Sequence, residues 1–135
     1  DTFPFDNRVV SLTWTGSQLR SALTRVVARS GRGFPGVSGV RVVVTCKGMT
    51  PEVEVLRPTG EPIGHAEELV VVTTDFFAAR ASVQDASRPP MADLASAPLV
   101  RNVVADWVVK RGRRLSIEGL FELPRWEMPD GRGCL

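Results

Sequence analysis

Residues 69–77 read Leu-Val-Val-Val-Thr-Thr-Asp-Phe-Phe, and they constrain the fold more than any other stretch of the chain. The run of apolar, mostly β-branched residues closed by two threonines suits the pleated surface of a strand. Because consecutive positions are apolar, both faces are expected to be covered, which places this strand inside a sheet rather than at its edge. It stops on Asp75, with Phe76 and Phe77 directly behind it. Two rings at the mouth of a buried strand either complete a core or line a flat slot for a third ring.

The remaining elements arrange themselves around that strand. Residues 8–15 alternate, with Val10, Leu12 and Trp14 on one face, as in a strand buried on one side. Thr15 followed three residues later by Gln18 is a capping box, so a helix starts there. Leu19, Ala22, Leu23, Val26 and Val27 form its apolar stripe, and Gly31 is its expected C-terminal stop. Residues 30–39 hold four glycines and Pro35, too many for a regular element, and this loop carries one large apolar residue, Phe34. Residues 40–45 and 52–56 are predicted strands, the second with Val53 and Val55 inward and Glu52 and Glu54 outward. Pro58-Thr59-Gly60-Glu61 is a turn. Residues 78–97 are small and polar without apolar periodicity, and read as a long loop. Pro98 is the expected first residue of a second helix, with Val100, Val103, Val104, Trp107 and Val108 on one face and Gly112 at its end. Residues 115–117 read as a short last strand and 120–135 as a tail. The order favours an α+β fold, a mostly antiparallel or mixed sheet covered by two helices.

Several function classes are disfavoured by the totals. At 135 residues the chain is expected to be a single domain, residues 1–135, long enough to bury roughly two thirds of the surface its unfolded form exposes. Its 43% apolar and 24% charged content is ordinary for a globular domain and argues against a disordered or fibrous chain. A net charge of +2 is too small for a nucleic-acid footprint. The most basic run, Lys110 to Arg114, falls where a helix should end, and cations there favour the helix dipole. No apolar run approaches the roughly 20 residues of a membrane span. One histidine and two cysteines make a zinc site of the usual kind improbable. Cys46 and Cys134 are either bridged, as in an exported domain, or a buried thiol and a tail thiol.

Individual polar residues read plainly. His65 sits on a turn between strands, as a surface residue. Asp75 as a general base lacks a histidine nearby in sequence, and a strand-end aspartate bonding backbone amides is the commoner arrangement. Ser38, in Gly36-Val37-Ser38-Gly39, lacks the spacing and the strand-turn-helix context of a nucleophile elbow. No catalytic or metal-binding residue is assigned.

Four segments in order carry a family resemblance: Pro4-Phe5-Asp6-Asn7 leading to Thr15-Gly16-Ser17-Gln18-Leu19; Gly33-Phe34-Pro35-Gly36-Val37-Ser38-Gly39; Val71-Val72-Thr73-Thr74-Asp75-Phe76; and Leu115-Ser116-Ile117-Glu118-Gly119. Together they resemble the C-terminal domain of 5′-nucleotidases and related secreted or periplasmic metallophosphoesterases. The resemblance implies a substrate-specificity domain of a nucleotide-degrading hydrolase, with Phe34 and Phe76 stacking a nucleotide base and Asn7 and Asp75 beside it. It also implies that two divalent metal ions and the catalytic groups lie in a separate N-terminal metallophosphatase domain, with no cofactor in this one. Secretion or a periplasmic location is implied as well. The expected ligand is a nucleotide or nucleoside, not a nucleic-acid polymer. The stacking chemistry fits the residues, since each base–aromatic contact contributes about 1–3 kcal/mol and tolerates different bases.

Two departures stand out. The family follows its Asp-Phe with a Gly-Gly-Asp-Gly turn, whereas here Phe77-Ala78-Ala79-Arg80-Ala81-Ser82 follows and Asp85 comes later. The family's Gly-Gly-Ile-Arg stretch, with a phosphate-binding arginine, would precede residue 1, so the chain is expected to be a piece of a longer protein. The rival expectation is a degenerate, non-catalytic interaction or structural module that packs on a partner domain or protomer.

Overall fold

The computed structural model describes residues 6–30, 35–81, 91–112, 125–128 and 134. Its elements run β1 (Val9–Thr15), α1 (Gly16–Ser30), β2 (Arg41–Lys47), β3 (Thr50–Leu56), β4 (Glu68–Thr74), α2 (Asp75–Ala81), α3 (Met91–Ser96), α4 (Val100–Lys110) and β5 (Trp126–Glu127). The fold is α+β, with one antiparallel pairing and one mixed sheet. The chain forms two compact units, residues 1–13 with 70–122, and residues 14–69 with 123–135.

The unit of residues 14–69 and 123–135 is built on the sheet β3-β2-β5. β2 and β3 pair antiparallel, from Arg41 opposite Leu56 to Lys47 opposite Thr50. This register puts Val42, Val44, Val53 and Val55 on one face, where they join Leu23 and Val27 of α1 and Ile63 in a buried cluster. The capping box forms as expected: Gln18 N–H donates to Thr15 Oγ1 (3.2 Å) and Thr15 N–H to Gln18 Oε1 (2.8 Å). The turn at residues 58–61 closes through Gly60, whose φ of 97° is open to glycine at little cost. Residues 120–135 are not merely a tail: β5 pairs parallel with β2, Val42 opposite Trp126 and Val43 opposite Glu127. A disulfide joins Cys46 to Cys134, with Cα atoms 5.5 Å apart, which decides the question the sequence left open.

In the other unit, Val10 and Leu12 of β1 are buried, as their alternation predicts. Pairing of β1 with β4 is antiparallel, since Asp75 N–H donates to Arg8 O and Gly16 N–H to Glu67 O at opposite ends of the pair. The expectation that residues 69–74 lie inside a sheet is corrected here. Among the described residues β4 pairs with β1 alone, and Val70 and Val72 are 73% and 67% exposed. One face of the strand is therefore open, a pattern that antiparallel pairs accommodate and that a run of valines hides.

Three further expectations change. The ends of the predicted loop at 78–97 are helical, α2 reaching Ala81 and α3 spanning Met91–Ser96, because alanine-rich segments form helix even where they are too short to show a periodic stripe. The helix expected from Pro98 starts at Val100, since Leu99 stays extended and is bridged to Arg8 while Pro98 O accepts from Val9 N–H at 2.9 Å. It ends as predicted at Gly112, whose φ is 70°. The row Val103, Val104 and Trp107 is on α4, yet none of that helix is buried. The strand predicted at 115–117 and the stop at Gly31 lie outside the described residues.

Candidate functional site

The corner where β4 becomes α2 brings three of the four nominated residues onto neighbouring backbone. Thr74 caps the helix, its Oγ1 accepting from Phe77 N–H at 3.1 Å. Asp75, in the first turn, places its carboxylate where the helix dipole favours it. Its Oδ1 accepts from Phe76 N–H (2.8 Å) and, across the strand pair, from Arg8 N–H (3.0 Å). Asp75 N–H in turn donates to Arg8 O at 2.9 Å. Asn7, next along the chain from Arg8, accepts on its own carbonyl from Val100 N–H at 2.9 Å. The Arg8 guanidinium donates through Nη1 to Ala97 O at 2.6 Å, and Arg101 is ion-paired with Asp6. Strand start, helix start and the entry to α4 are thus tied into one frame.

On that frame Phe76 is 56% exposed, while Phe77 is half-buried. Strand alternation does not govern the two rings, because the chain is already helical at Asp75 and successive side chains step around the helix instead. Asp75 bonds backbone amides, the commoner arrangement for an aspartate at such a junction. Phe34 lies outside the described residues, as does Asp85. Where the resemblance leads to the expectation of a glycine turn, Ala78 and Ala79 carry α2 onward.

Chemically, the corner offers an exposed ring and bonded backbone, and among the described residues no nucleophile–base pair forms there. His65 is exposed on the turn after Ile63, its ring accepting from Arg20 Nη1 at 2.9 Å, and Arg20 also donates to Ile63 O at 3.2 Å. Among the described residues no group of three or more His, Cys, Asp or Glu side chains converges as metal ligands would. No described helix is long and apolar enough to cross a membrane.

Sequence reasoning missed the part played by Arg8, since a backbone N–H gives no sequence signal. The Thr74 cap was readable, a threonine followed by an aspartate and a short helix. Trp126 was assigned to a tail, yet its indole Nε1–H donates to Pro35 O at 3.0 Å, the residue directly after Phe34.

No curated protein matches the chain. The family model described as "5′-nucleotidase, C-terminal domain" matches residues 1–86, a span that contains Asn7, Phe34, Asp75 and Phe76 and stops before the Leu115–Gly119 segment. That span is well over half of the chain, which therefore belongs to the 5′-nucleotidase C-terminal domain family, the substrate-binding domains of nucleotidases.

Proposed function

We propose that this domain recognises the base of a nucleotide or nucleoside by stacking it between Phe34 and Phe76, as part of a phosphoester hydrolase whose two divalent metal ions are held by a separate N-terminal metallophosphatase domain. The observation that carries the reading is Phe76, an exposed ring at a helix start fixed by the Asp75–Arg8 bonds. An exposed aromatic residue on a fixed backbone loses little freedom when it meets a flat ligand, so most of the stacking energy is kept. Asp75 acts by holding that backbone, and Asn7 by setting the strand entry beside it. The Cys46–Cys134 disulfide suits an oxidising compartment and supports a secreted or periplasmic location.

A second reading, an interaction module that packs on a partner domain or protomer, is favoured by one observation. Val103, Val104 and Trp107 of α4 are all exposed. Saturation-transfer NMR with adenosine separates the two. Base recognition gives transfer to the adenine protons in the wild type and none in Phe34→Ala or Phe76→Ala. A folded domain that shows no transfer at millimolar adenosine supports the module.

A further inference from the structure

The C-terminal segment makes a set of bonds that the stacking reading does not use. Val42 N–H donates to Arg125 O at 2.8 Å, and β5 lies parallel beside β2. Arg41 is ion-paired with Glu127, its Nε 2.9 Å from Glu127 Oε1. Trp126, Met128 and Cys134 pack against the core cluster, and the Cys46–Cys134 bond closes the segment's far end. From this anchored strand two side chains reach out to one loop. Arg125 Nη1 donates to Val37 O at 2.7 Å, and Trp126 Nε1 donates to Pro35 O at 3.0 Å. Pro35 and Val37 themselves lie in no helix or strand.

We infer that Arg125 and Trp126 are positioning residues: residues 125–128 form a strap, tied to β2 by backbone pairing and linked to it again through the Cys46–Cys134 disulfide, that fixes the backbone of residues 35–37, the stretch that directly follows Phe34 in sequence. The proposal rests on the base-stacking reading for its functional half. A glycine-rich loop has many accessible backbone conformations, and one that carries a stacking ring must be held if its ordering is not to be charged against binding. Two carbonyls, two residues apart, are enough to hold it, because each bond removes freedom on either side of Gly36. The donors come from neighbouring residues of a strand that is itself bonded, ion-paired and cross-linked, so they cannot drift with the loop. Neither donor contacts the base in this arrangement; each acts through the loop.

The test is backbone ¹⁵N relaxation on the wild type, on Trp126→Phe, which keeps the ring and loses the donor, on Arg125→Met, and on the double variant Cys46→Ser/Cys134→Ser, each paired with an adenosine titration. In the wild type, Gly36, Val37 and Ser38 are expected to be ordered like β2, with order parameters near about 0.85. In the variants these three fall toward about 0.6 while the β2 and β3 amides keep their values. Adenosine affinity weakens about fivefold for each donor removed, the size of one ordinary hydrogen bond. Unchanged order at 36–38 in Trp126→Phe and Arg125→Met overturns the strap, and so does loosening with no loss of adenosine affinity. If the wild type binds no adenosine, the base-stacking reading fails, and the strap stands or falls on the relaxation data alone.

Discussion

Asp75 and Arg8 are bonded twice across the β1–β4 pair: Arg8 N–H donates to the Asp75 carboxylate at 3.0 Å, and Asp75 N–H donates to the Arg8 carbonyl at 2.9 Å. The second bond joins backbone groups just beyond the ends of β1 and β4 and does not involve the Asp75 side chain. The first belongs to Asp75 alone, so this side chain decides how firmly the start of α2 is held.

Asp75→Ala should therefore lower stability by about 1–2 kcal/mol, the usual size of a lost helix-terminus acceptor. Asp75→Asn retains an oxygen for Arg8 N–H and should lose less than half as much. Urea unfolding of the three proteins checks the order, which fails if Asn is as damaging as Ala.

Phe76→Ala should leave unfolding nearly unchanged, within about 0.5 kcal/mol, because a side chain this exposed contributes little to the core. Its effect belongs on ligand binding, where a lost stacking contact is worth about 1–3 kcal/mol. A stability loss as large as the binding loss would mean the ring packs on its own domain.

Gly16→Ala should be poorly tolerated. A Cβ there would run into the Gly64 carbonyl oxygen, a backbone atom, and lie 2.9 Å from Cγ2 of Ile63, a β-branched side chain packed in the core, so neither neighbour can swing aside as the end of a long flexible side chain would. Overpacking of this kind costs about 1–3 kcal/mol. The Thr15-Gly16-Ser17-Gln18 segment thus carries two separate requirements, a capping box and a close approach, and a thermal melt of Gly16→Ala against Ser17→Ala resolves the second.

Reduction should add two hydrogens to the intact mass and destabilise the fold by about 2–4 kcal/mol, since the Cys46–Cys134 bond closes a long loop in the unfolded chain. Denaturation with and without dithiothreitol measures it. Equal midpoints would contradict a bond that pins β5 to β2.

What the sequence made legible follows from how local each signal is. The Thr15–Gln18 box, the Val53/Val55 alternation and the Gly60 turn are set within a few residues, and all three are present. The partner of β2 at Trp126 was not legible, because two residues carry no periodicity and the pairing spans most of the chain. Val70 and Val72 misled for a different reason: their β-branched shape specifies a strand, while their exposure depends on what else packs there. At the candidate site, the bonding of backbone amides by a strand-end Asp75 was readable, but the Arg8 amide it bonds has no side-chain signature.

The most direct measurement of the central claim is a search for intermolecular NOEs between adenosine and a domain with ¹³C-labelled phenylalanine rings. The account predicts NOEs from the adenine H2 and H8 protons to ring protons of both Phe34 and Phe76, assigned through Phe34→Leu and Phe76→Leu. NOEs to neither ring, from a folded domain under conditions that saturate any millimolar site, would contradict base stacking.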